Sequence, residues 1–186
     1  MNRMHQRICA SAKWAAMIEQ ALPERLAGVD LGEDVLEIGP GYGATTRVLA
    51  AMAPKLTAVE VDKTSADTLA GQFAGQVRIV HGSGADLPFE DGSFSGVCCF
   101  TMLHHVPSPE LQDALFAQAC RVLRPGGVFA GSDSQLSLRF RLIHLGDTMV
   151  VVDPDTLAGR LTAAGFTDVR IRRQPKKLVV FSARKP

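Results

Sequence analysis

The chain has 186 residues, a length that favours one domain with a substantial core and leaves little room for a separate substrate domain. Its 20 lysines and arginines against 19 aspartates and glutamates give a net charge of +1, which argues against a nucleic-acid partner. The four cysteines form no C-x-x-C pair, so neither a zinc site nor a thioredoxin-type site is indicated. No secretory signal or membrane span is recognised, and we expect a cytoplasmic protein with no membrane partner.

Strand and helix patterns alternate through most of the chain. Apolar residues recur at helical spacing near the start, where a helix is predicted over 11–27. Further along, strands are predicted over 35–38, 56–61, 77–81, 96–100 and 128–131, and helices are predicted over 45–51, 63–73, 109–123 and 154–164. A tight turn is predicted at 124–127, and an antiparallel pair of strands at 169–173 and 178–182, on either side of Pro175. Ser108 and Asp153 are expected to cap the last two helices. The alternation predicts a parallel sheet with right-handed crossovers, which binds ligands beyond the carboxyl ends of its strands.

Three alternating glycines follow the first predicted strand. The segment 35–43 has the sequence VLEIGPGYG, with glycine at positions 39, 41 and 43. Because glycine lacks a Cβ, the chain can turn tightly there and bring bare backbone against a flat ligand. A helix beginning directly afterwards would direct its free N–H groups at the same ligand. The segment therefore predicts a site for a nucleotide-like cofactor.

The identity of this cofactor depends on two carboxylates. Gly39, Gly41 and Ala44 also satisfy the dinucleotide fingerprint, and Glu60 could accept hydrogen bonds from a ribose diol in either case. Glu37, however, would repel a pyrophosphate, whereas it suits a ligand with an ammonium and a sulfonium group, contacted directly or through water. These residues favour S-adenosylmethionine.

Four motifs in register carry a resemblance to a known family. The segments 35–43, 86–89 (DLPF), 103–106 (LHHV) and 121–127 (RVLRPGG) resemble those of the class I S-adenosylmethionine-dependent methyltransferases, closest to the small-molecule branch that includes ubiquinone and menaquinone methyltransferases. The resemblance implies an α/β fold, a Rossmann-like sandwich with a mostly parallel central sheet and an antiparallel C-terminal strand. It also implies a single methyltransferase domain over residues 1–186.

The same resemblance implies which residues hold the cofactor. The motif I glycines would line the methionine and ribose side, Glu60 would bind the ribose hydroxyls, and Val61 would pack on the adenine. The family often has aspartate where this chain has Ser83, so a shorter hydroxyl or a bridging water would contact the adenine amino group. The full predicted set is Glu37, Gly39, Gly41, Gly43, Glu60, Val61, Ser83, Gly84 and Phe100.

Methyl transfer to a hydroxyl requires a group that removes its proton, by general-base or Lewis-acid catalysis. The candidate catalytic residues are His144, Asp133 and His104, while His105 is expected to pack or to form a hydrogen bond. Residues 133–152 are interpreted as an acceptor-binding lid or as a packed helix. Asp133, His144 and Asp147 could together hold Mg²⁺, although their spacing does not establish a metal site.

The expected acceptor is a small or glycan-type hydroxyl compound, and oxygen is the expected methylated atom. The polar side chains of 133–152 suit a sugar, and its apolar residues suit a quinone-like or phenolic acceptor. Without a cap domain, the acceptor cleft is either open or completed by a second subunit of a homodimer. The alternatives are methylation at nitrogen or carbon, a non-catalytic subunit that binds S-adenosylmethionine, and a nicotinamide-dependent oxidoreductase.

Overall fold

The computed structural model describes residues 2–174 and 178–186, which form one seven-stranded sheet with helices on both faces. The strands are β1 (Asp34–Ile38), β2 (Lys55–Glu60), β3 (Arg78–His81), β4 (Phe94–Phe100), β5 (Leu123–Ser134), β6 (Thr167–Gln174) and β7 (Leu178–Arg184). The helices are α1 (Arg3–Cys9), α2 (Ala12–Arg25), α3 (Ala44–Met52), α4 (Lys63–Gln72), α5 (Pro109–Val122), α6 (Leu138–Ile143) and α7 (Pro154–Ala163), with a 3₁₀ turn at Leu103–His105. Within the described residues, no helix combines the length and the apolar character needed to cross a membrane.

The strand order is β3-β2-β1-β4-β5-β7-β6. The first five strands pair in parallel, and β7 pairs antiparallel with both β5 and β6. The predicted fold class, a mostly parallel sheet with an antiparallel C-terminal strand, is therefore confirmed. The chain moves outward in opposite directions from β1 and β4, so a crevice opens beyond the carboxyl ends of these two strands.

Side-chain alternation along the central strands builds two separate apolar cores. Val35 packs in one buried cluster, while Leu36 and Ile38 pack in the other, and the neighbours Cys98 and Cys99 divide in the same way. Successive residues of a strand point to opposite faces, so the two cores lie on either side of the sheet. The cores hold the strand ends that carry the candidate site in a fixed position.

Local signals set most element boundaries where they were predicted. The side chains of Ser108 and Asp153 accept hydrogen bonds from backbone N–H groups in the first turns of α5 and α7. A proline follows each cap at the first helical position, where its missing N–H costs nothing. Gly165 follows α7 with a φ of +100°, as expected for a residue that ends a helix.

Three parts of the fold differ from the prediction. The strand predicted over 128–131 begins at Leu123, and the predicted 124–127 turn lies inside it as an irregularity where Gly126 has a φ of +78°. The final strand pair is longer than predicted, with its Pro175 connection outside the described residues. The short helix α1 was not predicted from the sequence, and α6 lies in the 133–152 segment, for which a packed helix was one of two interpretations. Each helix begins at a side-chain cap, Asn2 for α1 and Ser137 for α6.

Candidate functional site

A cavity of about 600 Å³ lies at the carboxyl ends of β1, β2 and β4. Its wall is formed by the glycine turn after β1, the ends of β2 and β4, the 82–85 loop, the 3₁₀ turn, helix α1 and part of the 133–152 segment. The volume falls within the range of about 300–1,000 Å³ that small-molecule and cofactor sites occupy. The cavity is therefore large enough to be the predicted binding site.

The glycines of the turn have different tasks. Gly41 lines the cavity with a φ of +56°, and a Cβ built on it would meet nothing within 4 Å, so bare backbone faces open space. A Cβ on Gly39 would lie 2.9 Å from the side chain of Met102, which also lines the cavity. Gly43 is not part of the lining, and a Cβ there would collide with Phe73. Gly43 therefore allows close packing under the turn, and its predicted contact with the cofactor is not supported by its position.

Glu60 lies at the end of β2 and fixes the glycine turn. Its Oε2 accepts a hydrogen bond from the Gly41 backbone N–H at 3.2 Å, and its Oε1 accepts one from the Asp62 N–H at 3.0 Å. The side chain is largely buried but still lines the cavity. The next residue, Val61, is 68% exposed at the cavity wall. The structure thus places both predicted residues beside the turn.

Three more predicted residues line the cavity further along its wall. Ser83 uses its hydroxyl oxygen to accept the Ala85 N–H at 3.2 Å, which leaves the hydroxyl proton available to a ligand. Gly84 is required by packing, because a Cβ there would lie 2.6 Å from the side chain of Ile38. Phe100 is buried at the end of β4 and contributes an aromatic surface.

Glu37 lies beneath the cavity rather than in its wall. It accepts a hydrogen bond from the hydroxyl of Thr45, a residue that does line the cavity, while its Oε2 is buried with no hydrogen-bond partner. Burial raises the pKa of the Glu37 carboxyl to about 7, since a charge is poorly solvated there. A carboxyl group with an unsatisfied oxygen so close to the cavity favours a cationic ligand group.

His104 and Asp133 form a buried pair at the opposite side of the cavity. The His104 ring lies with Nδ1 2.5 Å from Asp133 Oδ1, and the backbone N–H of His104 donates to Asp133 Oδ2 at 2.7 Å. Asp133 also accepts the Ser134 N–H at 2.6 Å and is not part of the cavity lining, whereas His104 is. Asp133 therefore orients the imidazole and does not itself face the cavity.

Four of the five histidines in the chain gather beside this pair. The ring centroid of His144 lies 4.2 Å from that of His5, 4.9 Å from that of His104 and 5.4 Å from that of His105. His144 donates from Nδ1 to the Phe140 carbonyl at 2.8 Å, and its Nε2 is buried without a hydrogen-bond partner. All four histidines line the cavity.

His5 was missed by the sequence reasoning. It lies in α1, about 100 residues from His104 and His105 and about 140 from His144, and no local pattern connects it with them. The side chain of Asn2, which caps α1, also donates to the backbone carbonyls of Ile143 and Leu145. These bonds attach α1 to the end of α6 and bring His5 into the cavity wall.

The predicted Mg²⁺ arrangement is wrong. Asp133 pairs with His104, whereas Asp147 lies 3.2 Å from Nδ1 of His5. Over residues 2–174 and 178–186, the one set of three or more side chains grouped closely enough to hold a metal is His5, His105 and His144. Asp133 and Asp147 each lie behind a histidine instead of beside His144.

Comparison with known proteins agrees with the geometry. Residues 36–131 match the model of a methyltransferase domain family. A probable S-adenosylmethionine-dependent methyltransferase of Mycolicibacterium smegmatis is 36% identical over 107 residues, 57% of this chain and 40% of that protein. An O-methyltransferase of Penicillium expansum is 30% identical over 164 residues, 77% of this chain and 57% of that protein. The chain thus spans about half the length of these curated relatives.

The fold recurs in solved structures. A methyltransferase dependent on S-adenosylmethionine from Aquifex aeolicus superposes with a TM-score of 0.76 at 17% identity, with 100% of both chains covered. At this identity the likeness shows the fold alone. The family match covers the glycine turn, Glu60 and the end of β4, which are parts of the cavity wall. The chain belongs to the S-adenosylmethionine-dependent methyltransferase family.

Proposed function

We propose that this chain binds S-adenosylmethionine in the cavity and transfers its methyl group to the hydroxyl of a small acceptor. The observation that carries the oxygen-directed part is the His104–Asp133 pair, which presents an oriented imidazole to the cavity. A hydroxyl acceptor needs such a base, because it is a poor nucleophile until its proton is removed. The O-methyltransferase among the relatives supports the same direction.

The residues on the glycine side fit the cofactor. Gly41 exposes bare backbone, Glu60 has a carboxylate suited to a ribose diol, and Phe100 offers a flat apolar surface. Glu37 places a carboxyl group under the turn, and its buried Oε2, which has no hydrogen-bond partner, suits the ammonium group of the cofactor. When bound, the cofactor supplies a methyl carbon activated by its positive sulfur. Val61 and Ser83 complete the proposed adenosine contacts.

His104 is the proposed general base. Its Nδ1 is hydrogen-bonded to Asp133, so Nε2 is the ring atom available as a base. Nε2 takes the proton from the substrate hydroxyl as the hydroxyl oxygen attacks the methyl carbon. Asp133 then stabilises the imidazolium without leaving its three hydrogen bonds. Asp133 is thus a positioning residue, and His144 is proposed for a different task below.

The wall around His104 favours a phenol-like acceptor over a glycan. Of the polar residues considered for sugar binding, Asp133, Gln135 and Asp147 are not part of the cavity lining. The lining on this side includes five apolar side chains beside the histidines: Val106, Pro107, Leu111, Phe140 and Ile143. The 133–152 segment contributes two of them, Phe140 and Ile143, which supports its proposed role in acceptor binding. Because α1 and α6 close this side, a second subunit is not required to complete it.

The test is product analysis with the purified chain. Isotopically labelled S-adenosylmethionine is incubated with matched phenol, quinol, sugar, amine and thiol acceptors, and mass spectrometry locates the added methyl group. We expect methylation of a hydroxyl. The His104→Gln variant retains an amide donor for Asp133 but has no titratable group, so its kcat should fall by about 10²–10⁴-fold. Its affinity for S-adenosylhomocysteine, measured by calorimetry, should remain unchanged.

Two outcomes would contradict parts of this proposal. Methylation of an amine or a carbon acceptor with normal turnover of His104→Gln would refute the oxygen-directed role. Tight cofactor binding without turnover of any acceptor would instead indicate a non-catalytic binding subunit. The first result leaves the methyltransferase assignment intact, and the second removes it.

A further inference from the structure

We infer that His5, His105 and His144 form a binding site for a first-row transition-metal dication, with Zn²⁺ as the ion that suits them best. Each residue offers one ring nitrogen, and these three atoms lie within 4.8 Å of one another. They come from three separate segments, α1, the 3₁₀ turn and the residue after α6. Such a convergence of histidines requires the tertiary fold, and the close approach of three basic rings needs a physical reason.

The distances suit a metal ion. Imidazole nitrogens bind Zn²⁺ at about 2.0–2.1 Å, so two of them in tetrahedral geometry lie about 3.3 Å apart. The three nitrogens would have to close by roughly 1.5 Å or less to reach that arrangement, a movement that side-chain rotation can supply. All three residues line the cavity, so an ion has a path to the site.

An unsatisfied nitrogen points independently to a ligand. His144 is 5% exposed, and its Nδ1 donates to the Phe140 carbonyl, which assigns the ring proton to Nδ1. Nε2 therefore carries a lone pair, yet it is buried with no hydrogen-bond partner. A buried polar atom without a partner is costly, and coordination of a cation would remove that cost.

Protein groups also support the rings of the other two histidines. His5 Nδ1 lies 3.2 Å from Asp147 Oδ2, and His105 forms a hydrogen bond with the backbone of Thr148. Histidines that bind metals almost always have their second ring nitrogen engaged by a carboxylate, a carbonyl or water, which fixes the ring's orientation. All three histidines of the group have this support.

The donor atoms select the type of ion. Mg²⁺ prefers oxygen ligands, whereas imidazole suits Zn²⁺ and its neighbours in the first transition row. Three histidines leave a fourth position open, as in catalytic zinc sites. If the proposed function holds, an acceptor oxygen would occupy that position, and the ion would lower the pKa of the hydroxyl whose proton His104 accepts. Metal binding itself does not depend on that use.

Nearby carboxylates offset the charge of the ion. Asp147 lies behind His5, and Asp133 lies behind His104, whose ring centroid is 4.2 Å from that of His105. A dication close to a cationic cofactor would otherwise be repelled. The two aspartates thus make the site compatible with the proposed cofactor.

The test is a Zn²⁺ titration of the metal-free chain, produced without a polyhistidine tag, in competition with a chromophoric chelator. We expect one Zn²⁺ per chain, with X-ray absorption showing three imidazole nitrogens at about 2.0–2.1 Å. His144→Ala and His5→Ala should weaken binding by at least about 100-fold, and Asp147→Asn by about 10–100-fold. The control His81→Ala removes the one histidine of the chain that does not line the cavity, and it should bind Zn²⁺ as the wild type does.

The inference is overturned if the wild-type chain binds no stoichiometric Zn²⁺, or if its absorption spectrum shows mainly oxygen or sulfur ligands. Equal affinities of His144→Ala and His81→Ala would also overturn it. The wild-type measurements decide the matter even if a histidine variant does not fold. Calorimetry with S-adenosylhomocysteine on the same samples separates the outcomes, because lost metal binding with retained cofactor binding leaves the proposed function standing.

Discussion

The two sides of the cavity are built in opposite ways. The glycine side uses residues close together in the chain, with Gly39 and Gly41 directly after β1 and Glu60 at the end of the neighbouring strand. The histidine side joins α1, the 3₁₀ turn and the segment after β5, which are separated by up to about 140 residues in the chain. The comparison teaches that the glycine side is specified by short-range sequence patterns, whereas the histidine side is assembled only by the tertiary fold.

The largest effect is expected on the histidine side, from Asp133→Asn. The amide cannot both keep its backbone hydrogen bonds and accept the His104 Nδ1–H, so the ring would no longer be held in the productive tautomer. We expect kcat to fall by about 10²–10⁴-fold, with little change in affinity for S-adenosylhomocysteine. Steady-state kinetics and calorimetry measure the two quantities.

Asp113→Asn is the matched control for this change, because Asp113 pairs with Arg160 on the surface, away from the cavity. It should retain wild-type turnover. Turnover of Asp133→Asn within threefold of this control would show that the pair does not position a base.

A smaller effect, confined to binding, is expected on the glycine side from Glu60→Ala. This change removes the acceptor of the Gly41 and Asp62 N–H groups together with the proposed ribose contact. Since a hydrogen bond to a charged group contributes about 1.5–3 kcal/mol, the affinity for S-adenosylhomocysteine should fall by about 10–100-fold. Calorimetry measures this, with the exposed-loop variant Glu90→Ala as the control. An unchanged affinity would remove Glu60 from the site.

The smallest effect is a pH dependence that Glu37 creates. A cationic ammonium group favours the ionised carboxyl, whose pKa burial raises to about 7. Affinity for S-adenosylhomocysteine should therefore rise with pH by up to about tenfold per unit below pH 7 and level off above it. Glu37→Gln should abolish this component, and calorimetry from pH 5.5 to 8.5 on both proteins would show it.

The same group affects stability with the opposite sign. The folded chain keeps the Glu37 proton up to about pH 7, whereas an unfolded glutamate loses it near pH 4.5, so the folded state binds more protons over that interval. The contribution of Glu37 to stability is thus present below pH 4.5 and is lost as pH rises through 7. Denaturant unfolding of the wild type and of Glu37→Gln tests this, and parallel pH profiles would show that folding does not change the pKa of Glu37.

The sequence predicted the fold well because its signals are local. Period-two and helical patterns, the Ser108 and Asp153 caps and the glycine turn act over a few residues, so they could be recognised without tertiary contacts. The start of β5 was missed because Gly126 predicts a turn, and the partner strand β4 pairs across it nonetheless.

The location of the candidate site was predictable on one side only. The predicted cofactor residues lie at or near strand ends, and seven of the nine line the cavity, while Glu37 and Gly43 are not part of its lining. The histidine side depends on tertiary contacts that cannot be predicted from residue spacing. Asp133 was recognised as a candidate, but its proposed positioning role rests on its hydrogen bonds with His104. His5 carried no local signal at all.

The central claim is that the cofactor lies against bare backbone at Gly41. Its most direct test compares Gly41→Val with Gly75→Val. Both glycines have positive φ and open space where a Cβ would lie, but Gly75 is not part of the cavity lining, so the backbone strain is matched. Calorimetry with S-adenosylhomocysteine should show one site per wild-type chain, an affinity at least about tenfold weaker for Gly41→Val, and no change for Gly75→Val. Equal affinities of the two variants, or no binding to the wild type, would contradict the claim.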